Sequence, residues 1–291
     1  MPVIITAMLL LTIGTLSPGQ ADEFRLVWAD EFDYEGLPDS TRWGYDVGGH
    51  GWGNGELQYY TEDRAENARV EEGHLTIEAH LEPLGGRAYT SARLVTKGKG
   101  DWTYGRFEAR AQLPSGRGTW PAIWMLPTGN IYGGWPDSGE IDIVEHVGFD
   151  PDVVHSTVHT RAYYHSIGTQ RGKNVKVPTA RSEFHTYAVE WTPEEIRGYV
   201  DDNHYFTFPN ERPTDPDANF RQWPFDEPFH MILNIAIGGA WGGQRGVDPD
   251  IFPTQFLVDH VRIYELVSST AIEPTGWADV KQDTVAHVED D

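Results

Sequence analysis

The sequence predicts an all-β fold, a β-sandwich of two packed antiparallel sheets. Three observations carry the prediction. Short runs of alternating apolar and polar residues recur through most of the chain, which is the period of a strand with one buried face. Glycine, proline and aspartate separate the runs, as turns require. Helical periodicity is nearly absent, and Thr192-Pro193-Glu194-Glu195 reads as a short turn. Strands at such spacing over this length build sandwiches. The 11 tryptophans and 31 glycines among 291 residues fit the same class, with some rings left at the surface.

The first stretch stands apart from the fold. Residues 3–16 form an apolar run that falls short of the ~20 residues of a membrane helix. Gly19-Gln20-Ala21 places small residues at its end. Residues 1–21 therefore read as a secretory signal cleaved after Ala21, although no Lys or Arg precedes the apolar run. No cysteine follows to carry a lipid, so export without a membrane anchor is expected, to the periplasm or the outside. Residues 22–265 are even in composition, with no linker and no repeat, and form one domain. Beyond Tyr264 the alternation stops. Residues 266–291 are polar and acidic, ending Glu289-Asp290-Asp291, and read as a disordered tail.

Within the domain the elements follow in order. Residues 51–60, GWGNGELQYY, are loosened by glycine and rich in aromatic and amide groups. They make either a binding loop or a packed turn. Residues 74–79 are a strand. Residues 89–94 follow, and their Arg93 is either a donor to a ligand's hydroxyls or a surface charge. Residues 105–110 are the next strand. In residues 118–127, Trp120, Ala122 and Trp124 fall on one face and Pro121, Ile123 and Met125 on the other. A single Trp would belong to a core. Two on one face, close to clustered acids, make stacking platforms for sugar rings. His155 and His159 share a face in HSTVH. A metal there needs ligands that the sequence does not point to, so hydrogen bonding is the simpler role. Residues 185–191 and 256–264 complete the strands.

Residues 139–146 read GEIDIVEH. Glu140 and Asp142 are two apart and share a strand face, whereas Glu145 has the wrong parity. Burying Glu145 among core residues would be costly. A β-bulge within Ile143-Val144 resets the parity and returns Glu145 to the face of Glu140. Three acids on one face raise one another's proton affinity. This suits acid/base work near neutral pH, with one carboxyl protonated and another ionised. The bulged spacing sets the backbones of Glu140 and Glu145 on the order of 13 Å apart. Long side chains leaning together reach the ~5 Å of a retaining glycosidase pair. Two other readings stand beside this one: a solvated strand face, and a divalent cation site.

Charge narrows the partners. Acidic residues number 45 against 22 basic, a formal −23. Nucleic acid is excluded as a partner, since phosphate binding needs clustered Lys and Arg. Solubility, in a medium salty enough to screen self-repulsion, accounts for the excess. With no cysteine in the chain, disulfides and thiolate metal sites play no part.

These segments together resemble family 16 glycoside hydrolases over about Leu26 to Tyr264. LVWADEFD is similar to the family's opening strand. GWGNGELQYYT, TSARLVTKGK, YGRFEARAQLP and GTWPAIWMLP follow in the family's order. GEIDIVEH resembles its bulged active-site strand. FHTYAVEWTP, WPFDEPFHMILNIAIGGAWGG and FLVDHVRIY complete the match, which is most similar to the laminarinase type, endo-1,3-β-glucanases. The resemblance implies a jelly-roll sandwich with a concave sugar-binding cleft and retention through a covalent glycosyl-enzyme. It implies Glu140 as nucleophile, Asp142 as the group that orients it and helps set its protonation, and Glu145 as acid/base. It implies substrate contacts from Asn54, Arg93, Trp120, Trp124 and His159, with Trp241 as a further stacking surface. Ala240 departs from the Asn that many relatives carry before that Trp. No cofactor is expected for catalysis. A structural Ca²⁺ is implied away from the cleft, at Glu31, the Gly73 carbonyl and Asp259. The expected partner is β-glucan, and the protein is expected to be a secreted monomer. Alternatives are a hydrolase of mixed-linkage β-1,3-1,4-glucan or another marine polysaccharide, and a non-catalytic β-glucan-binding protein. Two catalytic glutamates favour an enzyme.

Overall fold

The computed structural model describes residues 23–267, nearly all of its regular structure being β-strand, with some strands alternating in burial and others buried along most of their length. The strands are β1 (Glu23–Asp30), β2 (Gly44–Tyr45), β3 (Gln58–Thr61), β4 (Ala68–Glu71), β5 (His74–Leu84), β6 (Arg87–Val95), β7 (Gly105–Gln112) and β8 (Thr119–Pro127). They continue as β9 (Glu140–His146), β10 (Val153–His159), β11 (Arg171–Lys176), β12 (His185–Trp191), β13 (Glu195–Val200), β14 (Asn203–Pro209), β15 (Phe229–Ile237) and β16 (Thr254–Val267). The described residues include only two helical turns, both short 3₁₀ segments. The expected leader lies outside the described residues. So does the expected tail, except for Leu266 and Val267, which extend the last strand past the point where alternation stops.

The hydrogen-bonded order is β11-β10-β9-β8-β15-β6-β5-β16-β7-β12-β13-β14. The path folds over at the β5–β6 pairing, so β12 packs on β9, β15 on β5, and the two end strands β11 and β14 meet. The result is the expected sandwich, almost closed along its seam. One pairing runs against the antiparallel rule: β3 lies parallel to β6.

The core lies between the two layers. In β8 it takes Ile123 and Met125; in β15, Leu233, Ile235 and Ile237; in β9, Ile141, Ile143 and Val144. Opposite layers contribute Phe107, Tyr187, Val189, Trp191 and Phe256. Each such aliphatic or aromatic side chain contributes roughly 1.5–3 kcal/mol on burial. Because alternate residues point outward, burying these sets forces Arg93, Trp120, Trp124, Asn234 and Ala236 onto the other face of the same strands. That face is the floor of a cleft.

Candidate active site

The cleft holds about 420 Å³ and runs across β6, β15, β8 and β9. Glu140, Asp142 and Glu145 all line it. The ladder explains how. Glu145 pairs with Ala122 and Val144 with Ile123, but Asp142 pairs with Trp124, so Ile143 has no counterpart on β8. On the other side His155 faces Glu145 and Thr157 faces Asp142. A single residue, Ser156, spans both Ile143 and Val144. This is a bulge at the place parity demanded. Ile143 and Val144 are both buried, at 0% and 1% exposure, and the extra apolar residue turns Glu145 back to the cleft. Ser156 Oγ donates to the Asp142 carbonyl at 2.8 Å, beside the break in the ladder. Gly198 of the opposite sheet leaves room for that hydroxyl, since a Cβ there would stand 3.0 Å from it.

Each glutamate has its own indole donor. Trp135 Nε1 donates to Glu140 Oε2 at 2.9 Å. Trp120 Nε1 donates to Glu145 Oε1 at 3.0 Å. His159 Nε2 stands 3.5 Å from Asp142 Oδ2 and 3.7 Å from Glu140 Oε1. Burial pushes the Glu140 carboxyl up to about 8, reinforced by the neighbouring Asp142 and Glu145 and opposed by His159 and the Trp135 bond. Burial and Asp142 push Glu145 up to about 8 as well, against His159 and the Trp120 bond. Burial alone raises Asp142 well above the usual carboxylate range. Three acids this close titrate as a unit, and the cluster carries fewer charges than carboxyls near neutrality.

The other expected contacts divide. Arg93 is clamped between the rings of Trp52 and Trp124, 4.7 Å from each centroid, a geometry that suits a planar guanidinium. Trp124 Nε1 donates to Asn234 Oδ1 at 2.7 Å, and Asn234 Nδ2 to the Tyr60 hydroxyl at 2.9 Å. Asn54 lines the cleft and donates to Glu56 Oε1 at 3.2 Å. Trp241 packs edge-to-face on Trp120, with centroids 5.6 Å apart, and is not among the residues lining the cavity. His155 faces Glu145 across the strands and meets Trp241 edge-on at 4.9 Å; its Nε2 has no hydrogen-bond partner.

The residues expected to hold calcium lie elsewhere. Both Glu31 oxygens accept from Arg262 at 2.8 Å. Asp259 is paired with Arg110 at 3.1 Å and with His260 at 3.0 Å. Gly73 occupies the turn between β4 and β5 with φ of 78°. Its carbonyl is a hard donor of the right kind, but both carboxylates are already committed to cations. Arg262 and Arg110 would compete with an ion for these oxygens, each of which keeps further lone pairs.

Sequence reasoning did not single out Trp135, Trp52, Glu56 or Asn234. Trp135 sits in a loop rich in Gly and Pro, five residues before Glu140, where no periodicity assigns a direction. A signal did exist for Asn234, the one polar residue in the run MILNIAI.

Comparison with known proteins accords with this geometry. Residues 55–262 match the family model for Glycosyl hydrolases family 16. The chain belongs to that family. Among its relatives is a beta-glucanase of Rhodothermus marinus, 68% identical over 257 residues, covering 88% of this chain and 90% of the relative. The laminarinase structure from Rhodothermus marinus superposes with a TM-score of 0.84 at 67% identity, covering 86% of this chain and all of that one. A non-specific endo-beta-1,3(4)-glucanase of known structure matches at TM-score 0.79 and 46% identity, over 85% of this chain and 94% of that one.

Proposed function

We propose that the protein is a retaining endo-glycosidase that cleaves β-1,3-glucan. The observation that carries the reading is the bulged strand, which presents Glu140, Asp142 and Glu145 to one cleft. Glu140, ionised, attacks the anomeric carbon from one side of the ring. Glu145, protonated, gives its proton to the departing glycosidic oxygen. The C–O bond to the leaving chain breaks as the bond to Glu140 Oε forms. Glu145, now a carboxylate, takes a proton from water, which attacks the glycosyl-enzyme and releases Glu140. The Trp135 indole holds the nucleophile's second oxygen, and the Trp120 indole steadies the acid. Asp142 lies between them and shares the proton count. Trp124 and Trp52, pinned by Arg93, give apolar faces for sugar rings.

The substrate assignment is supported by likeness to a beta-glucanase and a laminarinase. Mixed-linkage β-1,3-1,4-glucan is a second reading, supported by likeness to a non-specific endo-beta-1,3(4)-glucanase. The test is release of reducing ends from laminarin, lichenan, agarose and carrageenan. Laminarin is expected to be cut, with the β-anomer appearing first by NMR. No release from either β-glucan would overturn the proposal, and an α-anomer would overturn retention. Export, a monomeric state and a structural Ca²⁺ are separate proposals. N-terminal sequencing of secreted protein, light scattering and a Tm measured with Ca²⁺ after chelation test them in turn.

A further inference from the structure

We propose that Glu140, Asp142 and His159 form a binding site for one borderline divalent cation, Zn²⁺ or Cu²⁺, and that the bound ion blocks the nucleophile. One ligand atom from each residue lies within 4.8 Å of the other two. Two of the three separations are 3.5 Å, between His159 Nε2 and Asp142 Oδ2, and 3.7 Å, between His159 Nε2 and Glu140 Oε1. Tetrahedral bonds of 2.0–2.1 Å set ligands about 3.3–3.4 Å apart. The two histidine–carboxylate separations need only a few tenths of an ångström of closure around an ion, and the two carboxylates, within 4.8 Å of each other, draw together on it by side-chain rotation.

A second observation separates this group from an ordinary acidic cluster. Asp142 is 2% exposed, yet its Oδ2, the atom facing His159 Nε2, takes part in no hydrogen bond. A buried acceptor left without a donor is costly, and a cation would satisfy it. His159 is 6% exposed and rigidly placed on β10, directly opposite Glu140 in the ladder. Among the described residues this is the one group of at least three His, Asp or Glu side chains that converges in this way.

The donor set selects the ion. One imidazole and two carboxylates suit Zn²⁺ or Cu²⁺. Ca²⁺ needs six to eight oxygens, which these side chains do not supply. Three protein ligands leave a fourth position open toward the cleft, through which the ion enters. A Glu140 lone pair engaged by the metal is unavailable to an anomeric carbon. The blocking effect rests on the proposed role of Glu140; binding itself does not.

The full chain, stripped of metal, is titrated with Zn²⁺ by calorimetry and its Tm followed. Cu²⁺ is added separately for electron paramagnetic resonance. One site, a raised Tm and hyperfine coupling to one ring nitrogen are expected. Laminarin hydrolysis should fall as the site fills, and glucan oligosaccharide should compete with Zn²⁺. Mg²⁺ at the same concentration should leave the Tm unchanged. His159→Gln should weaken Zn²⁺ binding by more than ~100-fold, beyond the loss that outer contacts of a metal site give. Should that variant melt non-cooperatively, Asp142→Asn replaces it. Failure of Zn²⁺ to bind the native chain, or undiminished binding to a folded variant, would overturn the site. Binding without hydrolysis of any β-glucan would overturn the function and leave the site standing. Hydrolysis without binding would do the reverse.

Discussion

At the scale of single residues, the site trades stability for chemistry. Glu140 and Glu145 move from 4.5 to about 8 on folding. Between those values the folded protein holds protons that the unfolded chain has released, so stability falls as pH rises across the window. Glu140→Gln removes one such group. Its Tm should exceed the native Tm at pH 8 and match it near pH 4.5, while glucan hydrolysis drops on the order of 10⁴-fold. A Tm gap that is equal at both pH values would contradict the raised proton affinity of Glu140. Trp135 acts through Glu140. Its bond comes from an exposed indole and is the smallest of the effects on Glu140, so it is worth about 0.5–1 kcal/mol, or roughly half a pH unit. Trp135→Phe keeps the ring and loses the donor, which leaves the Glu140 proton harder to remove. The acidic limb of the kcat/KM profile should move to higher pH by about that amount. An unmoved limb would show that the indole is only packing. Trp135 could not be placed from the sequence, because it acts through a partner brought near by the fold; Asn234 stood out as a lone polar residue in an apolar run, but its partners Trp124 and Tyr60 are distant in sequence.

At the scale of elements, strand parity made the central feature legible. Apolar positions 141, 143 and 144 cannot all share one face of a regular strand, and Glu145 cannot enter a core unpaired. A bulge is the cheapest resolution. The same logic predicts what breaks it. Exchanging Val144 and Glu145, as V144E/E145V, preserves composition and charge but puts a carboxylate at a position only 1% exposed. An uncompensated buried charge costs about 3–5 kcal/mol, a large part of the ~5–15 kcal/mol of a whole domain. The variant should lose most of its cooperative melting by circular dichroism. Native-like melting would mean that the strand slips register instead. The loop carrying Trp135 had no such pattern. Its anchor is Glu227, whose Oε2 accepts the Ile131 N–H at 3.1 Å from 96 residues away. Contacts of that range leave no local trace, and the parallel β3–β6 pairing escaped notice for the same reason.

At the scale of the whole molecule, the layers were legible because every long strand has one apolar face to hide. The near-closure that brings β11 to β14 was not, since it depends on accumulated twist rather than on any local run. Net charge acts at this scale too. A chain of formal charge −23 repels itself over distances set by salt, about 30 Å at 0.01 M and about 3 Å at 1 M. Salt also weakens exposed ion pairs such as Arg262–Glu31, but each of these is worth only ~0–1 kcal/mol. Repulsion summed over the surplus of acids outweighs them. The Tm should therefore rise between 0.01 M and 1 M NaCl, as calorimetry would record. A neutral glucan carries no charge to be steered, so KM for laminarin should stay flat over the same range once unfolding is excluded. Binding of a sulfated polysaccharide would instead strengthen as salt screens the repulsion. A KM for laminarin that changes steeply with salt would mean that the cleft meets a charged substrate, and the neutral-glucan assignment would fail with it.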